Sequence, residues 1–475
     1  MNQLPAPVVG LPRARNERSE AMMLCPPFTP TRRSGQAASN SPSPQTPTRA
    51  GLTTPSRARS ARRGITLIEM MVSITLTLII MGTVMTVFVM ITGAVADNRA
   101  VMETVDRLKS ATSRLQADLQ GRTCSTLPWN RIESASGFFL YAEGPASDAT
   151  PDSQQSWLQI PKDEIYGDLA RQENRVLGDC DDILMMTVRS REAPFVGRGP
   201  NGPIESNLAE VVWFVRPAEV DGGSKPLTLY RRVLLIIGED QWKRLGVGGS
   251  SRREFFERYD ISARFDKSSG QMVANTLADL TMPENRFAHD SQKEGGVGIL
   301  QTGADSPMRP FPLSGERYGE DVMLTNVIGF DVKAFDPWAS FGTGADDVAL
   351  VPGDFEYSAG GGARGVYVDL NSVAGGDYSG GPRPESTLSS IPGIRSIYDT
   401  WSFHYEHDGY TQRGSRDRGT DLLDSDGSSG VDDGSERETC APYLRPLRGI
   451  QVSVRVYEPD SRQVQQITVV GNFMP

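Results

Sequence analysis

Histidine is almost missing from this chain: His289, His404 and His407 are the only three in 475 residues. His404-Tyr-Glu-His407 has a spacing of three, not the four of a zinc-binding His-Glu-x-x-His helix, and a strand would turn the two rings to opposite faces. Cysteine is scarce too, with four residues and no Cys-x-x-Cys pair. Of these, Cys124, Cys180 and Cys440 lie beyond residue 64; they allow one bridge and one remaining thiol, and the pairing stays open. No Gly-x-Ser-x-Gly elbow and no Gly-x-x-x-x-Gly-Lys phosphate loop occurs, which removes the commonest hydrolase and nucleotide-binding signatures. Gly360-Gly361-Gly362 precedes a strand-like stretch, the wrong order for a dinucleotide loop. Lysine is absent from residues 1–64, whose ten Arg and two Glu give +8. The formal charge of the whole chain is −10, so −18 falls on the remainder. A body that acidic argues against nucleic acid as a partner, because binding phosphates needs a basic face.

The most informative absence is of charge itself. From Met70 to Ala96 there is no ionisable residue. A bilayer core takes roughly 20 apolar residues as helix, so this run is long enough to span. It is entered through Arg62-Arg63-Gly64-Ile65-Thr66-Leu67-Ile68-Glu69. The arginines place the preceding segment on the cytoplasmic side and export the residues beyond the span. Glu69 is anomalous, since a carboxylate in hydrocarbon costs about 2.5 kcal/mol or more and is tolerated where a partner waits. Residues 1–64 are rich in Pro, Ser, Thr and Arg without apolar periodicity. They read as a disordered basic leader removed on processing, with Met22 or Met23 as alternative starts.

Gly64-Ile65-Thr66-Leu67-Ile68-Glu69 resembles the processing site of type IV prepilins and type II secretion pseudopilins. That resemblance implies cleavage after Gly64 by a prepilin peptidase and N-methylation of the new terminus at Ile65. It also implies pairing of Glu69 with the terminal amine of a neighbouring subunit during assembly. The family usually carries Phe where this chain has Ile65. Glu69 itself speaks against the K-type tip subunit, which lacks that glutamate.

Beyond Asp97, residues Val101, Val105, Leu108, Thr112, Leu115 and Leu119 are spaced as one helical stripe, and Gly121 supplies a stop. The spacing predicts one helix over residues 65–120, about 84 Å at 1.5 Å per residue. The rest reads as β. Strands are expected at residues 138–142, 157–160, 182–188 and 326–334. Residues 210–216 and 227–237 form a hairpin joined across 217–226. The last pair is 450–456 with 464–470, where Ile450, Val452, Val454 and Val456 share one face. Residues 182–188 are apolar on both faces, as in a strand covered twice. The phrases Asp181-Asp182-Ile183-Leu184, Val211-Val212-Trp213-Phe214, Leu229-Tyr230-Arg231-Arg232 and Val327-Ile328-Gly329-Phe330, with the terminal hairpin, look like the larger minor pseudopilins. The J-type subunit of type II secretion and the W-type minor pilin are the nearest in pattern.

The expected fold is therefore α+β: a long transmembrane and spine helix over 65–120 and a β-rich exported head over 121–475. Loop-rich insertions are expected at 240–320 and 336–440. The second insertion contains Asp421, Asp424, Asp426, Asp432 and Asp433, with Asp424-Ser-Asp426-Gly427 resembling part of an EF-type loop. Calcium is the one candidate cofactor, although Leu422 occupies the first loop position where Asp is required. The functional expectation is a non-enzymatic minor pseudopilin or minor pilin, single-pass in the cytoplasmic membrane with its head in the periplasm or envelope. It would partner other pilins, prepilin peptidase and membrane lipid. Two alternatives stand beside it: a filament-tip adhesin or substrate-recruiting protein, and a membrane-tethered enzyme.

Overall fold

Fifty-five consecutive residues without proline form α1, Leu67–Gly121. The computed structural model describes residues 64–126, 131–144, 177–218, 227–247, 252–266, 269–287, 289, 310–343, 349–351, 357, 363–370, 397–400, 420–424, 427, 430–432, 436 and 446–473. The chain divides into two units, Met1–Leu76 and Thr77–Pro475. In the first, the described part is the opening of α1. Its apolar side chains are exposed, Ile65, Leu67 and Ile68 all above 70%.

In the second unit α1 continues apolar and exposed through Val95. The hydroxyls in this run satisfy themselves: Thr83, Thr86 and Thr92 each donate to the carbonyl four residues back at 2.8–2.9 Å. Such back-bonding leaves no polar group needing water. Burial begins at Thr104 and follows the expected stripe through Leu108, Thr112, Leu115 and Leu119, widened by Ala111 and Asp118. Gly121 belongs to the helix rather than following it. The physical reason for glycine there is proximity, since a Cβ would sit 2.8 Å from the Arg189 carbonyl oxygen.

The strands, in chain order, are β1 Phe139–Ala142, β2 Ile183–Arg189, β3 Phe195–Gly199, β4 Gly202–Ser206, β5 Leu208–Pro217 and β6 Leu227–Leu235. Two short helices, α2 Glu239–Leu245 and α3 Arg252–Arg258, precede β7 Ala263–Asp266, β8 Gln271–Ala274 and β9 Val322–Leu324. Then come β10 Val327–Ser340, β11 Gly342–Thr343, β12 Ala349–Leu350, β13 Arg364–Val368 and β14 Ile397–Asp399. The chain closes on β15 Gly449–Glu458 and β16 Gln463–Asn472.

Two antiparallel sheets carry the head, ordered β14-β1-β2-β5-β6-β9 and β13-β10-β15-β16. One hydrophobic core joins them to α1: Leu108, Leu115 and Leu119 meet Leu184, Met186, Val211 and Trp213 of the larger sheet, and Phe330, Val332, Ile450 and Val452 of the smaller. The other face of the larger sheet has its own core, in which Ile183, Met185, Val212 and Phe214 meet Phe255, Phe256, Met272, Leu280 and Phe287. The double-sided apolar pattern of β2 is thus covered on both faces, as its sequence requires. Part of the stretch expected as a loop-rich insertion over 240–320 supplies that cover, with α2, α3 and the β7–β8 hairpin. The expected strand at 157–160 lies outside the described residues.

The terminal hairpin pairs in register from Gly449–Asn472 to Glu458–Gln463. Its inward face holds Ile450, Val452, Val454 and Val456, all at or below 4% exposure. β10 runs six residues past the alternating pattern and is buried on both faces, with Asp331 and Lys333 on the one that alternation would leave wet. The reason is an ion pair set: Lys333 Nζ lies 3.2 Å from Asp331 and 2.9 Å from Asp369.

Asp118 binds the helix to the larger sheet. Its carboxylate accepts from Trp213 Nε1 at 2.9 Å and from Arg231 Nε and Nη2 at 2.8 and 2.7 Å. Truncating it strands a nearly buried guanidinium. Asp118→Ala is expected to lower the unfolding free energy of the detergent-solubilised full chain by about 3–5 kcal/mol in a denaturant titration. A loss below about 1 kcal/mol would show that the contact holds nothing together.

Candidate functional site

The start of α1 is built by its own sequence. Thr66 stands just before the first helical residue, and its Oγ1 accepts from the Glu69 backbone N–H at 3.3 Å. The Glu69 carboxylate reaches back to the Thr66 backbone N–H at 3.5 Å. This reciprocal arrangement is a capping box, in which Ser or Thr and a Glu three residues later satisfy each other's orphan donors. Glu69 is exposed, and no basic side chain among the described residues pairs with it. At Gly64 a Cβ would meet nothing within 4 Å.

Residues 59–95 match the family model described as the prokaryotic N-terminal methylation motif. The chain carries a prepilin-type motif. Gly64, Ile65 and Glu69 all fall within the matched residues, and the match supports the type IV pilin and pseudopilin family with a structural role. α1 is long and apolar enough to cross a membrane, and its most hydrophobic window has no buried residue, as suits a membrane-anchored prepilin. No curated protein and no solved structure matches the chain.

Away from the prepilin motif, the acidic loop is described in part. Asp421, Asp424 and Asp432 each accept a backbone N–H of the same loop, from Leu423, Gly427 and Leu422 at 2.9, 2.7 and 3.1 Å. Asp426 and Asp433 lie outside the described residues, as do Cys440, His404 and His407. Cys124 and Cys180 are buried. His289 is buried as well, and burial followed by the charges of Arg252 and Arg286 pulls its pKa down to about 3, which keeps the ring neutral.

The structure gathers acids that sequence spacing did not. Glu143, Asp179 and Asp182, all buried, bring carboxylate oxygens within 4.8 Å of one another. They meet where the end of β1, the approach to β2 and the middle of β10 converge. Asp182 accepts from Val332 N–H at 2.6 Å and Gly144 N–H at 3.3 Å, and Asp179 accepts from Asp181 N–H at 3.0 Å. Glu143 accepts from the Tyr141 hydroxyl. Burial raises all three carboxyl pKa values well above the ordinary range, and neighbouring carboxylates add to it, Asp181 first for Asp179 and Asp182, and Asp182 first for Glu143. Hard oxygen donors at this spacing are what a cation such as calcium uses, and these are the described residues that could hold one.

A sequence signal existed for only part of this. Asp179-Cys-Asp181-Asp182 is visibly acid-rich, but its burial against β10 depends on tertiary packing. The capping box at Thr66 was missed, although Thr66-x-x-Glu69 is the spacing that signals one.

The sign of the shifts sets the pH dependence. A carboxyl with a raised folded pKa costs nothing below the unfolded value of about 4, and destabilises the fold as pH rises above it. Asp179→Asn keeps the acceptor oxygen and removes the charge. In chelator, its denaturant midpoint is expected to exceed that of the wild type at pH 8 and to match it at pH 4. A larger gain at pH 4 would reverse the assignment.

Proposed function

We propose that this protein is a minor pseudopilin or minor pilin that primes or caps a short envelope filament, of a type II secretion pseudopilus or a type IV pilus. Gly64 is the residue before the cut, Ile65 the methylated terminus and Glu69 the assembly carboxylate. The observation that carries the reading is Glu69 at the head of an uncharged run, inside the matched methylation motif.

In this reading α1 crosses the cytoplasmic membrane once, the arginine-rich leader stays cytoplasmic, and the head is exported. The exposed apolar residues up to Val95 pack first against lipid and then against the helices of sister subunits. The ligand pairing of Glu69 changes on assembly, from its own Thr66 amide to the free amine of a neighbour. An amine is a full charge where an amide is a dipole, so the exchange is favourable in a medium of low dielectric. The size of the head, with its second core, fits a subunit present in few copies better than one repeated along a fibre. Calcium at Asp421, Asp424, Asp426, Asp432 and Asp433 stays with this reading as a sequence-based expectation.

Mass spectrometry and amino-terminal sequencing of the membrane-extracted protein test the processing step. The mature chain is expected to begin at N-methylated Ile65, and Gly64→Val is expected to leave the leader attached. A wild-type chain that keeps residues before Ile65 in its assembled form would refute the proposal.

A further inference from the structure

The last turn of α1 ends beside a basic cleft that the filament reading does not use. An antiparallel bridge between Arg122 and Val188, with Thr123 N–H donating to the Thr187 carbonyl at 2.9 Å, stitches the helix end to the end of β2. This stitching brings Arg122, Arg189 and Arg191 around one cleft of about 450 Å³, floored by Thr123, Ser134 and Ser136. Among the described residues no carboxylate lines it. None of the three guanidinium groups forms an ion pair with a described residue.

Part of this charge has a structural task. Arg122 Nη1 donates to the Leu119 carbonyl at 3.1 Å and Arg191 Nη2 to the Gln120 carbonyl at 2.6 Å, capping the helix C-terminus. A helix end carries about half a negative charge, against three full positive ones, so roughly two and a half remain uncompensated. Donor capacity remains as well. A guanidinium has five N–H groups, and the exposed Arg191 gives one bond to Gln120, while the Arg122 guanidinium lies over the Phe473 ring, 4.2 Å from its centroid. The side chain of Arg189 bonds to none of the described residues. Burial first, and the nearby Arg191 charge after it, hold the Arg122 pKa below the usual arginine value, a repulsion that an anion between them would relieve.

We infer that this cleft binds an acidic peptide segment of a partner protein, whose carboxylates are held by Arg122, Arg189 and Arg191. Arginine forks match carboxylates bidentately, and clusters of them are a recurrent means of recognising acidic motifs. The occupant is a peptide rather than a lone oxyanion for two reasons. The cleft has room for several side chains, and Ala135 and Leu277 give its wall apolar surface that a hydrated ion does not use. The inference stands on the head alone, whether or not the chain is processed at Gly64.

Fluorescence anisotropy of a labelled hexa-aspartate peptide, titrated with the full-length protein in detergent, tests it. Saturable binding is expected, weakening as salt is raised and falling at least ten-fold in Arg189→Gln/Arg191→Gln; Arg189→Gln alone, which removes no contact to the helix end, is expected to weaken binding in the same direction with its unfolding midpoint unchanged. Absence of binding at millimolar peptide, or equal binding by the double variant, would overturn the inference. So would inorganic phosphate competing as well as the peptide, since the site would then read an isolated oxyanion.

Discussion

One carboxylate sets the terms for everything N-terminal to the head. Glu69 opens a helix that carries no other ionisable residue until Asp97. In water that helix exposes an apolar surface far larger than a monomeric protein tolerates, and in lipid it holds an acid that lipid penalises. The capping box with Thr66 reduces the problem without removing it, because an amide hydrogen bond leaves the charge itself unbalanced. Helix and acid together suit the structural role in pilin-type assembly that the methylation motif supports.

The second half of α1 obeys a different rule. From Thr104 onward it is a core element, and its polar residue Asp118 is placed as deliberately as its leucines. Here the chain accepts a buried ion pair with Arg231, backed by the Trp213 indole, and so fixes the rotation of the helix on the sheet. Hydrophobic contact alone is tolerant of rotation, whereas three directed hydrogen bonds are not. The same logic recurs on β10, where Lys333 is held between Asp331 and Asp369.

Much of this was legible in the sequence. The apolar stripe from Val101 to Leu119, the double-sided pattern of β2, the β5–β6 hairpin and the strict alternation from Ile450 to Val456 are local signals with a single structural solution. What escaped was non-local. Asp118 sits beside the stripe and looks like an ordinary surface acid until Arg231, 113 residues away, is brought to it. The acids at Asp179 and Asp182 look like a solvated turn until β10 covers them. Arg189 and Arg191 acquire meaning only when the helix end delivers Arg122. The stretch after β6 carries too many glycines and charges to show periodicity, yet Phe255, Phe256 and Phe287 give it a core. Of the matched motif, Gly64, Ile65 and Glu69 were read from sequence, and the Thr66–Glu69 reciprocity was added by structure.

The central claim is that Glu69 is tolerated because a neighbouring subunit neutralises it. The direct measurement is filament recovery from cells producing Glu69→Leu in place of the wild type, by shearing and immunoblotting the head. The account predicts that the variant is membrane-inserted and processed but absent from filaments, since the leucine sits comfortably in lipid and offers an incoming amine nothing. Filaments containing Glu69→Leu at the wild-type level would contradict it.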